Sequence, residues 1–250
     1  MSLPRLGNRD RVALFCDFDG TLVDIAPEPD LVAITAATRR SVERLAAALE
    51  GAFAIVTGRD IEVVDRFLAP LRLPTAGVHG LVRRDAAGTV HAVPIGNGFL
   101  GAITRKIEAF AATRPGLFVE HKPGTVVLHY RGAPELEADC IALAESAVDE
   151  HAGLVLRRGK KIVEVGPGNA DKGAAIEAFM REPPFAGRSP VFAGDDLTDE
   201  DGFAVVNRMG GKSIKIGPEP SCATYRAGGT QQFLAWLGRT AGRLSAGARA

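Results

Sequence analysis

The chain has little of what marks several large classes of protein. Its 250 residues carry no net charge, since thirty basic side chains balance thirty acidic ones. We therefore expect no nucleic-acid partner, because there is no basic field to attract one. The three cysteines, Cys16, Cys140 and Cys222, are scattered and form no Cys-x-x-Cys. They are interpreted as reduced packing residues, not as a disulfide set or a zinc site.

Long apolar runs and several catalytic motifs are also missing. No run approaches the ~20 residues that span a bilayer, and the start lacks the basic and apolar regions of a signal peptide. We expect a cytoplasmic protein with no membrane contact. There is neither a Gly-x-x-x-x-Gly-Lys-Ser/Thr loop nor a Gly-x-Ser-x-Gly elbow, which disfavours a P-loop NTPase and an ester hydrolase of that type.

What is present centres on the stretch Phe15-Cys-Asp-Phe-Asp-Gly-Thr21. The apolar run Val12–Cys16 predicts a buried strand, and Asp17 and Asp19 follow it. Residues i and i+2 of a strand share a face, so the two carboxylates point the same way and repel each other unless a cation or a proton lies between them. For this stretch alone, an Asp-rich turn that closes a strand is the alternative interpretation.

Apolar runs that alternate with helical patterns predict a parallel sheet. A helix is predicted over Thr35–Leu49, a strand over Phe53–Val56 and a second helix after Asp60, an order typical of βαβ units. Further strands are predicted over Thr75–Val82, where glycines interrupt the strand, and over Thr89–Pro94, Pro190–Ala193 and Ser213–Ile216. Further helices are predicted over Ala174–Met180, Gly202–Asn207 and Gln231–Leu237, and a frayed tail over Leu244–Ala250.

The pattern between these core segments is different. Predicted helices over Gly98–Thr113 and Pro134–His151 are each followed by two strands, within Leu117–Arg131 and Leu154–Val165. This order predicts a compact α+β unit with an antiparallel sheet. We expect residues 98–168 to form a small domain inserted into a core of residues 1–97 and 169–250, with Gly/Pro-rich joints at 95–98 and 166–169.

Polar residues lie at four strand ends or helix starts of the predicted core: Asp17/Asp19, Thr57-Gly-Arg59, Lys172 and Asp195-Asp196. In an open parallel sheet the carboxyl ends of the strands gather at one edge, where ligands bind, so these signals should converge. Asp17 and Asp195 offer the hard oxygen ligands that suit Mg²⁺. Thr57 offers a hydroxyl to phosphate oxygens, and Lys172 is a point charge that can neutralise a phosphoryl group.

In this order and context, the four motifs resemble those of the haloacid-dehalogenase-like phosphohydrolases. From about Leu14 to Trp236 the chain resembles the trehalose-6-phosphate phosphatases more closely. That resemblance rests on Thr57-Gly-Arg59, Ala76-Gly-Val-His-Gly80, Glu120-His-Lys122, Leu128-His-Tyr-Arg131, Gly159-Lys160 with Glu164, Asp171-Lys-Gly173 and Gly194-Asp-Asp-Leu-Thr-Asp-Glu200. It implies an α/β fold, with a Rossmann-like parallel-sheet core of the haloacid-dehalogenase type and an inserted α+β cap.

The resemblance implies Mg²⁺-dependent hydrolysis of trehalose 6-phosphate to trehalose and phosphate through an aspartyl-phosphate. Asp17 would be the nucleophile and Asp19 the acid and base, while Thr57 and Lys172 would stabilise charge on the phosphoryl oxygens. The implied metal ligands are Asp17, Asp19 through its backbone carbonyl, Asp195, and Asp196, which either binds the ion directly or supports the ligands together with Asp199. The implied substrate-binding residues are Gly20, Gly58, Arg59, Glu120, Lys122, Lys160 (or Lys161 beside it) and Glu164.

One departure and several alternatives remain open. The family usually has a basic residue before Pro167, where this chain has Gly166, so a contact to phosphate or sugar is in question. Without the resemblance, Glu120 and Lys122 would be interpreted as a surface ion pair. Alternative functions are a phosphatase for sucrose phosphate or glucosylglycerol phosphate, a phosphoryl-transferring mutase, and a non-catalytic trehalose-phosphate-binding module. We expect a monomer that is functionally coupled to a trehalose-phosphate synthase.

Overall fold

The computed structural model describes residues 3–7, 11–26, 32–93, 100–151 and 153–247. The chain divides into two compact units, the first made of Met1–His91 and Asp171–Ala250 and the second of Ala92–Ala170. The boundaries expected from the sequence for the inserted unit are 98 and 168. The expected joint at 95–98 lies outside the described residues.

Twelve strands and seven helices lie within the described ranges. The strands are β1 (Val12–Cys16), β2 (Phe53–Val56), β3 (Thr75–Gly77), β4 (Val82–Arg84), β5 (Val90–Ala92), β6 (Phe118–Lys122), β7 (Thr125–His129), β8 (Leu154–Gly159), β9 (Ile162–Pro167), β10 (Ser189–Gly194), β11 (Lys212–Ile216) and β12 (Tyr225–Ala227). The helices are α1 (Ala36–Ala48), α2 (Ile61–Leu68), α3 (Leu100–Ala112), α4 (Glu137–Asp149), α5 (Lys172–Met180), α6 (Glu200–Arg208) and α7 (Thr230–Gly247). None of these helices is both long and apolar enough to cross a membrane.

The first unit is built on an eight-stranded sheet in the order β12-β11-β10-β1-β2-β3-β4-β5. The strands from β12 to β3 are parallel, and β4 returns antiparallel to β3. All five residues of β1 are buried, as expected for a parallel strand covered on both faces. Phe15 of β1 packs against the rings of Phe179 and Phe185, with centroids 6.0 and 5.4 Å away. The predicted parallel-sheet core is confirmed.

Three helices of this unit begin at a side-chain cap. The side chains of Thr35, Asp60 and Asp171 accept hydrogen bonds from backbone N–H groups in the first turns of α1, α2 and α5, at 3.1, 3.2 and 2.7 Å. Such caps satisfy backbone donors that the helix itself leaves without a partner. The cap by Asp171 fixes the start of α5, and therefore the position of the next residue, Lys172.

The predicted strand over Thr75–Val82 is wrong in its second half. β3 ends at Gly77, and Val78, His79 and Gly80 follow with φ of 47°, 53° and 98°. Left-handed φ values are incompatible with an extended strand, so the chain turns tightly here and returns as β4. The glycines that flank this segment in the sequence are the local signal for the turn.

The prediction for the end of the chain is also wrong. α7 begins at Thr230, close to the predicted start, but continues to Gly247 through the segment that was expected to fray. Leu237, Ala241 and Leu244 are buried in the main hydrophobic cluster, and their spacing of three and four residues is that of a single helix face. Residues 248–250 lie outside the described residues. β12 was not predicted.

The second unit has a four-stranded antiparallel sheet in the order β6-β7-β9-β8. One face packs against α3 and α4 through a cluster that includes Ile103, Val126, Cys140, Ala144 and Val163. Neighbouring residues of each strand point to opposite faces. The other face therefore carries Glu120, Lys122, Thr125, Glu164 and Arg157, which alternate with the residues that pack on the helices.

We predict that Leu244 contributes to stability as a core residue. Its side chain is 6% exposed, so Leu244→Ala should lower the free energy of unfolding by about 2–5 kcal/mol. Arg239→Ala, at an exposed position of the same helix, is the matched control and should change it by less than about 0.5 kcal/mol. Urea unfolding followed by fluorescence of the single tryptophan, Trp236, measures both. Equal midpoints for the two variants would show that the end of α7 is frayed.

Candidate active site

The site begins where two neighbouring strands end. β1 and β10 are adjacent and parallel, with Cys16 opposite Ala193. The residue after each strand is an aspartate, Asp17 after β1 and Asp195 after β10. The backbone N–H of Asp17 donates to the carbonyl of Ala193 at 2.9 Å, which extends the pairing of the two strands by one residue. Asp17 and Asp195 are thus held at the same edge of the sheet, each 4% exposed.

A third carboxylate joins these two. Ligand oxygens of Asp17, Asp195 and Asp199 lie within 4.8 Å of one another, and all three residues are buried. Two glycines make room for them. A Cβ on Gly20, which has φ +74°, would lie 2.1 Å from Oδ2 of Asp195, and a Cβ on Gly194 would lie 2.2 Å from Cγ of Asp199. Any other side chain at either position would displace a carboxylate.

Lys172 connects the carboxylates to α5. Its ammonium is 3% exposed and donates to Oδ1 of Asp17 at 2.8 Å and to Oδ1 of Asp199 at 2.7 Å. The second oxygen of Asp199 accepts from the backbone N–H of Asp196 at 2.9 Å. Both oxygens of Asp199 are therefore engaged within the protein, and its role is to position Lys172 and the turn after β10.

The electrostatics of this cluster follow from burial and the proximity of the charges. Burial raises the pKa of the Asp17 carboxyl well above its usual value; the ammonium of Lys172 opposes this rise, and the carboxylates of Asp199 and Asp195 add to it. Burial lowers the pKa of Lys172, but the carboxylates of Asp17 and Asp199 outweigh it and hold that pKa above its usual value. Lys172 therefore stays charged, but its single ammonium, which bonds Asp17 and Asp199, does not balance the three carboxylates.

That excess of negative charge fits a divalent cation. Carboxylate oxygens are the ligands that Mg²⁺ prefers, and buried like charges are stable only when they are compensated. Asp17 and Asp195 could supply such ligands. The carboxylates of Asp19 and Asp196 do not belong to the buried three-carboxylate group found within the described ranges. For Asp19 the implied ligand is its backbone carbonyl, while Asp196 lies next to Asp195 and is partly exposed.

Asp19 is paired with Arg59. Nε and Nη2 of Arg59 donate to the two carboxylate oxygens of Asp19 at 2.6 and 2.7 Å. The guanidinium also lies over the rings of Phe18 and Phe67, 5.8 and 5.3 Å from their centroids. Thr57, 1% exposed, is at the end of β2, and its Oγ1 accepts from the Arg59 N–H at 3.2 Å. The sequence places Asp19 and Arg59 in two separate motifs, and the structure joins them.

The left-handed turn after β3 lies between the Thr57 segment and α5. The N–H of His79 donates to the carbonyl of Thr57 at 2.9 Å. A Cβ on Gly58 would lie 2.6 Å from Nε2 of His79, and one on Gly80 would lie 2.7 Å from the carbonyl oxygen of Asp171. Glycine at 58 and 80 is thus required for close packing. His79 is placed here as a structural residue of the loop.

Lys215 was missed in the sequence. It lies on β11, is 2% exposed, and its Nζ donates to the backbone carbonyl of Asp195 at 2.6 Å. It therefore fixes the main chain at a carboxylate of the site. A lysine is unusual between two isoleucines in a buried parallel strand. This pattern could have identified Lys215 as a residue of the site from the sequence.

The second unit brings together three of the predicted substrate-binding residues. Glu120, Lys122 and Glu164 share one face of its sheet. Nε2 of His129 lies 2.9 Å from Glu120, and Nζ of Lys122 lies 3.6 Å from Glu164, whose side chain is 1% exposed. Burial favours a higher pKa for Glu120. The hydrogen bond to His129 and the positive charge of Lys122 outweigh this effect and hold the pKa of Glu120 below its usual value. This face therefore presents carboxylates and an ammonium to a polar ligand.

Two further positions were uncertain in the sequence. Nζ of Lys161 donates to Glu137 of α4 at 3.2 Å and lies over the ring of Tyr130, so this lysine is turned toward the helices, whereas Lys160 is exposed. At Gly166 an added Cβ would lie 2.5 Å from Cγ2 of Thr125. A larger residue at 166 would therefore require Thr125 to move.

Comparison with known proteins identifies relatives of this chain. A family model described as Trehalose-phosphatase matches residues 15–235. The trehalose-6-phosphate phosphatase of Escherichia coli strain K12 is 42% identical over 227 residues, which cover 91% of this chain and 85% of that protein. A probable trehalose-phosphate phosphatase of Sinorhizobium fredii is 42% identical over 211 residues, covering 84% of this chain and 79% of that protein.

Solved structures show the same fold. The C-terminal domain of the trehalose-6-phosphate phosphatase of C. albicans superposes with a TM-score of 0.83 at 21% identity, covering 93% of this chain and 92% of that one. The α/β fold class expected from the resemblance is confirmed, with its parallel core sheet and small antiparallel sheet. Since the family model spans most of the chain and the relatives match along most of their own length, the chain belongs to the trehalose-phosphatase family.

Proposed function

We propose that this chain is a Mg²⁺-dependent phosphatase that hydrolyses trehalose 6-phosphate to trehalose and phosphate through an aspartyl-phosphate on Asp17. The observation that carries the proposal is the buried group of Asp17, Asp195, Asp199 and Lys172 at the carboxyl edge of the sheet, in a chain of the trehalose-phosphatase family. The presence of Asp17, Asp19, Lys172 and Asp195 together favours a catalytic role over a non-catalytic binding module.

In the first step a carboxylate oxygen of Asp17 attacks the phosphorus and the bond to the sugar oxygen breaks. The departing alkoxide takes a proton from Asp19 and leaves as trehalose. The phosphoryl group stays on Asp17. The ammonium of Lys172, 2.8 Å from Oδ1 of Asp17, restrains this carboxylate and stabilises charge on the phosphoryl oxygens, and the hydroxyl and backbone groups at Thr57 contribute in the same way.

In the second step Asp19 accepts a proton from water as the water attacks the phosphorus. Phosphate leaves and Asp17 is regenerated. Both oxygens of Asp19 accept hydrogen bonds from Arg59, and opening one of these bonds would turn that oxygen toward the leaving group. Arg59 is a planar fork that matches phosphate as well as carboxylate. When substrate binds, Arg59 would exchange its hydrogen bond to Asp19 for one to a phosphoryl oxygen, and this exchange would release Asp19 for proton transfer.

The metal would be held by the carboxylates of Asp17 and Asp195 and the backbone carbonyl of Asp19. When bound, Mg²⁺ reduces the repulsion between an anionic nucleophile and an anionic phosphate. The residues fit that role because the three buried carboxylates outnumber the two buried ammonium groups, those of Lys172 and Lys215. Lys215 would support it by fixing the backbone of Asp195.

The sugar would be bound by polar side chains of the second unit. Glu120, Lys122 and Glu164 lie on one sheet face, and their charged groups are suited to hydrogen bonds with sugar hydroxyls. Lys160 remains a further proposed contact.

We also propose a cytoplasmic monomer, functionally coupled to a trehalose-phosphate synthase that would supply the substrate. The three free cysteines support a reducing compartment.

The proposed function predicts phosphate release from trehalose 6-phosphate that requires Mg²⁺. A substrate panel with sucrose phosphate, glucosylglycerol phosphate and glucose 6-phosphate, compared by kcat/KM, should favour trehalose 6-phosphate, and EDTA should abolish release. Asp17→Asn should lower kcat more than about a thousandfold, since it removes the nucleophile. It should also abolish labelling of the protein by ³²P-substrate after rapid quenching.

The matched control is Asp24→Asn, an exposed aspartate of the segment after the motif, which should retain full activity. Normal turnover by Asp17→Asn would contradict the mechanism. Comparable kcat/KM for glucose 6-phosphate would contradict the disaccharide assignment and leave the phosphatase assignment intact.

Asp19→Asn should reveal proton transfer to the leaving group. Trehalose is a poor leaving group without a proton, so kcat for trehalose 6-phosphate should fall about 10²–10⁴-fold. The loss should be much smaller for p-nitrophenyl phosphate, because nitrophenolate departs unprotonated. Steady-state rates with both substrates measure this difference, and equal losses would rule out Asp19 as the acid.

Substitution of Asp199 should affect stability, whereas substitution of Asp196 should affect the Mg²⁺ requirement. Asp199 is fully buried against Lys172, so Asp199→Asn should lower the free energy of unfolding by about 3–5 kcal/mol. Asp196→Asn should change stability little but raise the Mg²⁺ concentration for half-maximal activity about tenfold, as supporting ligand groups do. Thermal unfolding and Mg²⁺ titration separate the two effects, and the reverse pattern would exchange the roles assigned to these residues.

A further inference from the structure

A cross-strand row on the second unit's sheet contains a residue to which the family resemblance gives no role. Glu120, Val127, Glu164 and Arg157 are successive partners across β6, β7, β9 and β8. Directly opposite residues of antiparallel strands share a face, with Cβ atoms about 4.5–5.5 Å apart. Arg157 therefore completes the row that holds the two proposed sugar-binding carboxylates.

The guanidinium of Arg157 is only partly satisfied. Nη2 donates to the carbonyl of Pro167 at 2.7 Å and also to the carbonyl of Ala170. Nη1 is buried and has no hydrogen-bond partner among the residues that the structure describes. A buried donor without an acceptor is costly, and more so when it carries charge. Nη2 is thus anchored to the backbone at the end of β9 and just after it, whereas Nη1 has no acceptor among the described residues.

Gly166 is what leaves room for this arrangement. It lies opposite Val155, two residues before Arg157 on β8. A Cβ at 166 would lie 3.4 Å from Nη1 of Arg157 and 2.5 Å from Cγ2 of Thr125. Thr125 is 2% exposed, and its Oγ1 also has no hydrogen-bond partner in the described ranges. Two buried polar groups without partners therefore lie beside the open Cα of Gly166.

We propose that Arg157 is a substrate-binding residue, whose Nη1 donates to an oxygen of the sugar phosphate while Nη2 stays anchored to the carbonyls of Pro167 and Ala170. The inference rests on the proposed function. The required ligand chemistry is an oxygen acceptor, either a phosphoryl oxygen or a sugar hydroxyl. Arg157 supplies a cationic donor in the same row as Glu120 and Glu164, whose carboxylates accept from hydroxyl groups.

The test compares Arg157→Met and Arg157→Lys with Arg158→Met as the matched control. Arg158 is the next residue, points to the opposite face and makes an exposed pair with Glu145, so its loss should leave the kinetics unchanged. Arg157→Met should raise KM for trehalose 6-phosphate about tenfold to a hundredfold, as expected for loss of a charged hydrogen bond, with a smaller change in kcat. Arg157→Lys should recover part of this loss.

Inhibition by trehalose and by inorganic phosphate, together with kcat/KM for p-nitrophenyl phosphate, shows whether Nη1 of Arg157 binds a sugar hydroxyl or a phosphoryl oxygen. If Nη1 binds a sugar hydroxyl, the inhibition constant of trehalose rises in Arg157→Met and kcat/KM for p-nitrophenyl phosphate stays within about twofold. If it binds a phosphoryl oxygen, inhibition by inorganic phosphate weakens and kcat/KM for p-nitrophenyl phosphate falls in parallel with that for trehalose 6-phosphate. Either result supports the proposal.

The alternative is that Arg157 only anchors the chain after β9. In that case Arg157→Met lowers the melting temperature while KM and both inhibition constants stay within twofold of the wild-type values, and the proposal is overturned. Failure of the proposed function is distinguishable, because it appears as absence of trehalose 6-phosphate turnover by the wild-type protein. Calorimetric binding of trehalose and of phosphate to wild type and Arg157→Met then decides the role of Arg157 without turnover, and equal affinities overturn it.

Discussion

The ammonium of Lys172 is the charge on which the site depends. It is buried between Asp17 and Asp199, so it joins three segments that are far apart in sequence: the end of β1, the start of α5 and the turn after β10. Breaking a buried ion pair leaves an uncompensated charge that costs several times more than an exposed pair contributes. The positions of Asp17 and Asp199, and the need for glycine at 194 beside Asp199, follow from keeping these contacts intact. The remaining negative charge is then available to a cation.

The periodic segments account for what could be predicted. Strands such as β1 and β2, helices with an apolar stripe such as α1, and the residues at their ends follow from local pattern, because burial imposes a period of two or 3.6 residues. The fold class and the family followed from those elements and their motifs. The glycines indicate a turn near Val78–Gly80, but the left-handed backbone of Val78 and His79 could not be predicted, since packing against Thr57 and Asp171 holds it. Nor could the full length of α7, whose last turns are stabilised by the core rather than by propensity.

The individual contacts of the site depend on distances that sequence does not contain. The motif residues were found by type, but the pairing of Asp19 with Arg59 and the bridging position of Asp199 became visible only in three dimensions. Lys215 and Arg157 belong to no motif. Each is significant because of what a neighbouring strand presents: the carbonyl of Asp195 in one case and the missing side chain of Gly166 in the other. A departure from a family pattern is thus interpretable only together with the residue that fills the vacated space.

The order of the strands in the first unit also has a consequence for how the protein is made. β1 pairs with β2 on one side, but its other neighbour is β10, and Val12 lies opposite Ser189. At synthesis rates of about 5–20 residues per second, the ribosome needs roughly 10–35 s to make the chain between these partners. The second unit, residues 92–170, is complete before β10 emerges. During that interval one edge of β1 is unpaired and its apolar residues are open to aggregation. Closure of the sheet by β10 therefore ends this vulnerable period in the same event that brings Asp195 beside Asp17.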